Sequence, residues 1–323
     1  MSHPANLYSL VADVGGTNTR VALAHGRVLV EGTVRRYSNA DFPDLETVLR
    51  RFISDEGDVN TKAACVAVAG PVHNNVATLT NLDWTIDLDT ISRAAHAETV
   101  AILNDLQAQG HAIGHLSDDK VIPLLTGQDA EPNATKLVIG VGTGFNAAPV
   151  FDTNENRSVP PSESGHASLP IRTNQDLRLC EYVANAHGFP AVEDVLSGRG
   201  LERVYRFLGQ ENNDPAEKSA KLIMETCLNK SDPTAIEAAR MFTRILGTVA
   251  GDLALVQLPF GGLFLVGGVA RSISPVLKEF GFGEAFRDKG RFASFMDKFP
   301  VYVVEDDYAA LTGSAAHLVE MGA

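Results

Sequence analysis

The sequence carries one local pattern twice, and each copy opens one half of the chain. Leu10-Val11-Ala12-Asp13-Val14-Gly15-Gly16-Thr17 is an apolar, β-rich run that ends in glycines and leads into a second apolar run, Arg20 to Leu23. Lys136-Leu137-Val138-Ile139-Gly140-Val141-Gly142-Thr143-Gly144 repeats it and leads into Asn146 to Phe151. Apolar runs on either side of a glycine turn read as a β-hairpin, and two such hairpins at the heads of two halves read as a duplicated unit. A length of 323 residues is also too great for one ordinary core. We expect a smaller α/β domain at 1–115 plus 306–323, and a larger one with helical insertions at 116–305.

Between and after the hairpins, helix and strand signals alternate. Tyr8 to Val14 and Asn18 to Ala24 predict strands, and Gly26-Arg27 turns the chain into a third from Val28 to Tyr37. Pro43 opens an amphipathic helix over Asp44 to Ser54, with Leu45, Val48, Leu49 and Phe52 on one face. Strands are predicted at Ala63 to Ala69 and Val76 to Leu79, a helix at Leu88 to His96, and a strand at Thr99 to Leu103 that ends on Asn104-Asp105. Asp152 to Asn174, rich in Ser, Pro and Asn, reads as a long functional loop. Helices then dominate as far as Leu258, one of them long from about Thr234. Gly262 to Val266 and Pro300 to Val304 predict the last strands, and Tyr308 to Val319 a terminal helix. The class is α/β.

Composition narrows the partners. A formal net charge of −13 opposes non-specific binding to nucleic acid or to anionic membranes. It does not oppose a nucleotide, whose phosphates can be held by backbone N–H groups and Mg²⁺. No run approaches the roughly 18 apolar residues of a membrane helix. Met1 to Asn6 has no basic region, and Asp13 breaks the apolar run that follows, so the cytoplasm is the expected location. Cys65, Cys180 and Cys227 are scattered and fit reduced thiols. His111 and His115 could share a helix face, but Gly110 and Gly114 weaken that helix and no third ligand joins them in the sequence.

The sharpest motif is Asp13-Val14-Gly15-Gly16-Thr17-Asn18. Two glycines let backbone N–H groups approach a phosphate with no Cβ in the way. Asp13 just before them can hold Mg²⁺, directly or through water. An ordinary hairpin turn would explain Gly-Gly but not an Asp in the strand beside Thr and Asn. Gly140 to Gly144 is a second candidate cradle, with Gly142, Thr143 and Gly144 at its tip. A dinucleotide fingerprint is unlike it, because its third glycine is one position early and Pro149 would break the required helix. There is no G-x-x-x-x-G-K-[ST] string, which excludes a P-loop. Asp105 is either a general base or the cap of a helix beginning at Leu106. Gly267-Gly268 either lets a base or ribose lie against the backbone or permits tight strand–helix packing.

In this order, D-x-G-G-T-N, Asn-Asp after a central strand, a G-T-G hairpin and a late V-G-G resemble the superfamily of sugar kinases, Hsp70 and actin. Within it the chain is most similar to bacterial ATP-dependent glucokinases of the non-ROK group, essentially end to end. Gly70-Pro71-Val72, Leu79-Thr80-Asn81-Leu82-Asp83-Trp84, Glu163-Ser164-Gly165-His166, Val195 to Leu201 and Asp288-Lys289-Gly290-Arg291-Phe292 carry the likeness further. The closely spaced cysteines of the ROK zinc motif are missing. The resemblance implies a two-domain actin-like ATPase (ribonuclease H-like) fold with a cleft between the domains. It implies Asp105 as catalytic base, and Asn104, Glu163, His166 and Glu193 as holders of sugar hydroxyls. ATP-binding falls to Asp13, Gly15, Gly16, Thr17, Asn18, Gly142, Thr143, Gly144, Gly267 and Gly268, with Mg²⁺ near Asp13 through water. Glu163 and His166 read equally as solvated loop charges, and Glu193 as a first-turn helix carboxylate. Three positions depart from the family: Ser162 and Ser164 beside Glu163, and Asn146 after the second turn, stand where glycines are usual. Leu106 replaces a common phenylalanine.

The reaction so implied is transfer of the ATP γ-phosphoryl group to the 6-hydroxyl of glucose. An aspartyl-phosphate phosphatase would need a second acid where Gly15 stands. A sugar-responsive regulator, or an ATPase whose output is movement, would share the fold without making a phosphorylated sugar. Glucose and ATP are the expected partners, and a homodimer is an allowed assembly.

Overall fold

The computed structural model describes residues 8–79, 82–153 and 156–323. The N-terminal segment Met1 to Asn6, Thr80 and Asn81 of the Leu79 to Trp84 string, and two positions of the long loop lie outside the described residues. The chain folds into two compact units: residues up to 117 with 156–161 and 306–323, and residues 118–153 with 162–305.

The first unit opens with β1 (Tyr8–Val14), β2 (Asn18–His25), β3 (Val28–Leu29) and β4 (Arg35–Ser38). It continues through α1 (Leu45–Asp55), β5 (Thr61–Val68), a small antiparallel meander of β6 (Val72–His73), β7 (Val76–Thr78) and β8 (Thr85–Asp87), then α2 (Leu88–Ala95), β9 (Thr99–Asn104) and α3 (Asp105–Ala112). Its main sheet runs β3-β2-β1-β5-β9, with β1 antiparallel to β2 and parallel to β5. β1 reads as an unbroken apolar run because both of its faces are covered. Leu10, Ala12 and Val14 pack in the cluster that holds Leu45, Leu49 and Phe52 of α1 and Ile91 of α2. Val11 points the other way, into the cluster of Cys65, Ala67, Leu103, Leu311 and Ala315.

The second unit holds β10 (Val121–Leu125), β11 (Lys136–Val141) and β12 (Phe145–Asp152). The chain then visits the first unit with the short β13 (Arg157–Ser158), before α4 (Asn174–His187), α5 (Gly198–Glu211), α6 (Ala220–Leu228) and α7 (Pro233–Gln257). β14 (Leu263–Val266), α8 (Gly268–Leu277), α9 (Phe282–Arg287), α10 (Ala293–Met296) and β15 (Val301–Val304) complete it, and α11 (Ala309–Glu320) returns to the first unit. β11 pairs antiparallel with β12 and parallel with β14, which is parallel to β15. That repeats the arrangement of β1 with β2, β5 and β9, so the duplicated hairpin carries a duplicated sheet with it. Among the described residues no helix is long and apolar enough to cross a membrane.

Several boundaries differ from the sequence pattern, each for a local reason. The expected strand from Val28 to Tyr37 is two strands, broken where Gly32 adopts φ +77°. There the buried Thr33 hydroxyl donates to the Val30 carbonyl and accepts from the Leu23 N–H. Asp44 is the cap of α1 rather than its first residue, accepting the Thr47 N–H at 2.8 Å. β10 is not legible as a strand in the sequence because it contains Pro123; it pairs only with β15 at the sheet edge, where a missing N–H is tolerated.

α11 lies against α3 with the two backbones touching, and Gly313 is the residue that permits it: a Cβ there would collide with the Ala108 carbonyl. Gly313→Ala gains about 1 kcal/mol of helix propensity, but overpacking typically costs ~1–3 kcal/mol or more. A net loss of stability is the expected outcome in urea denaturation; a more stable variant would show that the two helices can move apart freely.

Candidate active site

In the first unit, the relevant groups gather at the carboxyl ends of parallel strands. Asp13 is the penultimate residue of β1, paired across to Ala67 of β5, whose other neighbour is Leu103 of β9. Asn104 ends β9 and Asp105 begins α3. Open α/β sheets present ligand-contacting groups at this end.

The turn after β1 is short because Val14 pairs with Thr19. Gly15 donates its N–H to the Asn18 carbonyl at 3.0 Å, and Gly16 and Thr17 stand at the tip. Asn39 braces the turn from behind. Its Nδ2 donates to the Gly15 carbonyl at 2.7 Å, its backbone N–H to the Thr17 carbonyl, and its Oδ1 accepts from the Thr19 hydroxyl at 2.8 Å. Nothing in the polar string Ser38 to Asp41 marks Asn39 as buried, so sequence reasoning missed it. Arg20 was missed too. It faces Asp13 across the hairpin and donates to Asp13 Oδ2 at 3.1 Å. Counting outward from the turn in antiparallel register would have found that pair.

Asn104, not Asp105, caps α3. Its Oδ1 accepts the Leu106 N–H at 3.0 Å, while Gln107 Oε1 accepts the Asn104 N–H at 3.1 Å, a reciprocal capping box. Asn104 Nδ2 also donates to the Gly70 carbonyl at 3.0 Å. Gly70 is required there, since a Cβ would lie 2.8 Å from the Thr78 carbonyl oxygen. Asp105 is the first helical residue and accepts the Leu106 N–H through Oδ1 at 2.8 Å. Burial, and then the charge of Asp13, push its carboxyl up to about 6. Burial likewise raises Asp13, against the pull of Arg20.

In the second unit, the turn between β11 and β12 is closed by the Gly142 N–H on the Gly144 carbonyl at 2.9 Å, with Thr143 exposed at its tip. Glu193 lies in a turn ahead of α5, whose cap is Ser197, so it is not a first-turn helix carboxylate. Its Oε2 accepts the Phe145 N–H at 2.8 Å and occupies the space a Cβ on Gly144 would need. Gly267 caps α8 at φ +101°, and a Cβ there would meet the Val141 carbonyl oxygen at 2.5 Å. Tight packing therefore explains Gly267, whereas Gly268 is exposed with nothing near a Cβ.

Glu163 and His166 project from the loop, their side chains exposed, with Glu163 Oε2 3.7 Å from His166 Nδ1. The three departures from the family pattern meet beside them. Asn146 Oδ1 accepts from the Ser164 N–H at 3.0 Å and hydroxyl at 3.1 Å, and from the Ser162 hydroxyl at 3.2 Å. Asn146 Nδ2 donates to the Ser162 carbonyl. The three side chains that replace glycines thus form one network gripping the backbone on both sides of Glu163. A cavity of about 530 Å³ between α4, α7 and α9 contains none of these residues. Its three arginines are already paired, Arg244 with Asp176, Arg172 with Asp288 and Arg240 with Glu237.

Removing the grip should loosen Glu163 without touching the reacting groups. Asn146→Gly is expected to speed amide hydrogen exchange across residues 162–166 several-fold, read by mass spectrometry, with the core strands of the second unit unchanged. Unchanged exchange would mean that the loop holds its shape without the network.

The glucokinase family model matches residues 10–321. A glucokinase of Mesorhizobium japonicum is 34% identical over 309 residues, 95% of this chain and 90% of the relative. A crystal structure of glucokinase from an Antarctic psychrotroph superposes with a TM-score of 0.85 at 31% identity, covering 97% of this chain and 99% of the other. A ROK family glucokinase from Streptomyces griseus, solved in complex with glucose and AMPPNP, shares the fold at a TM-score of 0.64 and 19% identity, over 95% of this chain and 98% of its own. With the family model spanning nearly the whole chain, this protein belongs to the glucokinase family, the ATP-dependent sugar kinases of the two-domain actin-like ATPase fold.

Proposed function

We propose that this glucokinase-family enzyme phosphorylates D-glucose at its 6-hydroxyl with ATP-Mg, and that Asp105 is the base. The observation that carries the assignment is that Asn104 supplies the cap of α3, while Asp105 is pushed up to about 6 beside a second carboxylate. A base whose pKa lies near the working pH is suited to accept a proton. The S. griseus kinase, which holds glucose and AMPPNP, supports the choice of both substrates. The reaction would then run in the cytoplasm.

Asp105 would accept the hydroxyl proton as the oxygen attacks the γ-phosphorus and the bond to the β-phosphate oxygen breaks, leaving ADP and glucose 6-phosphate. N–H groups at Gly16, Thr17 and Asn18 would hold phosphate oxygens, as would those at Thr143 and Gly144, while Gly15 and Gly142, whose own N–H groups close the two turns, would admit the phosphate by lacking a Cβ. Gly268, at the first turn of α8, would leave room for the nucleoside, and Gly267 would act through packing. Asn104 retains hydrogen-bonding capacity beyond its cap, and Glu193 retains Oε1; with Glu163 and His166 they would hold the sugar hydroxyls. The donor set fits Mg²⁺ held through water. Asp13 is a desolvated carboxylate with Oδ2 bonded to Arg20, and Mg²⁺ keeps most of its waters on one or two carboxylates plus phosphates. When bound, the ion supplies neutralisation of phosphate charge.

A coupled assay with ATP and Mg²⁺ against glucose, mannose, fructose and N-acetylglucosamine should give the highest kcat/KM for glucose. A higher value for another hexose would reassign the substrate. Asp105→Asn should bind both substrates and lose about 10²–10⁴-fold in kcat. The same variant has a stability signature free of ligands. Because the folded-state pKa of Asp105 is raised, its contribution is full below the unfolded value of 3.8 and lost as pH rises through about 6. In metal-free buffer Asp105→Asn should therefore be more stable than the parent by up to about 3 kcal/mol near pH 8, with the gain vanishing near pH 4. Near-normal turnover together with unchanged stability would remove Asp105 from the mechanism.

A further inference from the structure

The far end of α3 holds a second group of chemically competent side chains that the proposed reaction does not use. His111, in the last turn of α3, is buried at 3% exposure. α11 brings His317 and Glu320 against it, three residues apart on one helical face. His111 Nδ1 is 2.8 Å from Glu320 Oε2, His317 Nδ1 is 4.0 Å from the same oxygen, and the two imidazole centroids are 4.5 Å apart. One ligand atom from each residue lies within 4.8 Å of the others. The histidine pair visible in sequence was His111 with His115, but α3 ends at Ala112 and His115 is not among the three. The ligands that complete the group come from the other end of the chain.

Two further observations point to a ligand. His111 Nδ1, His317 Nδ1 and Glu320 Oε2 are buried, and apart from their contacts with one another none has a hydrogen-bond partner. Unpaired buried polar atoms are costly, so three that converge imply a common partner. The helices that carry them are also fixed, because Gly313 of α11 sits against the Ala108 carbonyl of α3.

We propose that His111, His317 and Glu320 bind a divalent transition-metal ion of the zinc class, with water in the fourth position. Two imidazole nitrogens and a carboxylate oxygen are zinc ligands at ~2.0–2.2 Å. Ligand atoms at that radius stand about 3.3 Å apart around a tetrahedral centre. The His111–Glu320 edge is already within that spacing, and the wider edges close by roughly 1 Å through side-chain rotation. Mg²⁺ is a poor competitor, since it prefers oxygen ligands. The ion would fasten the C-terminal helix to the helix that begins with Asp105. It is a structural clamp, distinct from any Mg²⁺ that accompanies ATP.

The test uses the full-length protein, stripped with a chelator and dialysed, then titrated with Co²⁺ in millimolar Mg²⁺. A saturable visible d–d absorption at one equivalent per chain, displaced by Zn²⁺, together with a raised Tm, is the expected result. Glu320→Gln and His317→Gln preserve size at partly buried positions, and circular dichroism will check that they fold. Each should weaken Co²⁺ binding about 100-fold or more. Absence of a saturable band, or a band that neither variant alters, would overturn the site and leave the three groups as a side-chain cluster held by its own contacts.

Discussion

The side chain of Asn104 joins parts of the first unit that are far apart in sequence. It closes the first turn of α3 on the Leu106 N–H and holds the Gly70 carbonyl. Gln107, which completes the capping box, reaches on to the Val159 carbonyl at 2.7 Å. The end of β9, the bend at Gly70 and the segment 156–161 are therefore held by one run of hydrogen bonds. Asp105 shares the Leu106 N–H with Asn104, so it is positioned by this run without being the only group that satisfies the helix start. A carboxylate that had to cap the helix would be stabilised in its charged form and held at a low pKa. With the cap shared with a neutral amide, desolvation and then the neighbouring Asp13 outweigh the hydrogen bonds that Asp105 accepts at the helix start, and the carboxyl moves up.

The same division of labour recurs at both glycine turns. Glycine leaves the tip open for a ligand but contributes nothing to hold its shape. Asn39 supplies the brace for the first turn through three bonds to Gly15, Thr17 and Thr19. Glu193 supplies it for the second, with one oxygen on the Phe145 N–H and its bulk filling the place where Gly144 has no Cβ. The Asn146–Ser162–Ser164 network does for the Glu163 loop what a flexible glycine loop leaves to substrate binding. An ordered loop loses less entropy when a ligand is bound, so under the proposed role of Glu163 these side chains would change how the loop is held more than what it presents.

How far the site could be read from sequence follows the range of the interactions involved. The two hairpins, the strand ending on Asn104-Asp105 and the long helix from Pro233 were legible, because each rests on local periodicity and turn chemistry. The Gly267-Gly268 motif could be found but not interpreted: Gly267 needed the Val141 carbonyl beside it before packing could be preferred to ligand access. Asn39 and the partnership of His111 with His317 and Glu320 were invisible. Their meaning lies in burial, in a three-dimensional brace or in the meeting of distant parts of the chain, and no pattern of neighbours in the sequence encodes any of these. His115 was the one companion that sequence proximity offered His111, and it was set aside for want of a third ligand; His317 and Glu320 lie some two hundred residues further along the chain.

Electrostatics then links the site to the stability of the first unit. Two desolvated carboxylates stand at one end of a sheet, and Arg20 is placed on only one of them. The folded protein is therefore strained by charge wherever both are ionised, and the strain grows as pH rises through the range in which Asp105 deprotonates. Positive charge brought near Asp13 would relieve it, lowering the pKa of Asp105 below its value of about 6 in the ligand-free protein. The arrangement thus favours ligand binding and base ionisation together: a protein that is least comfortable with two bare carboxylates gains most from a cationic partner in the state where Asp105 can accept a proton. That coupling needs no movement of the backbone, only the placement of Asp13 at the end of β1 and Asp105 just past β9, with β5 between the two strands and Arg20 paired to Asp13 alone.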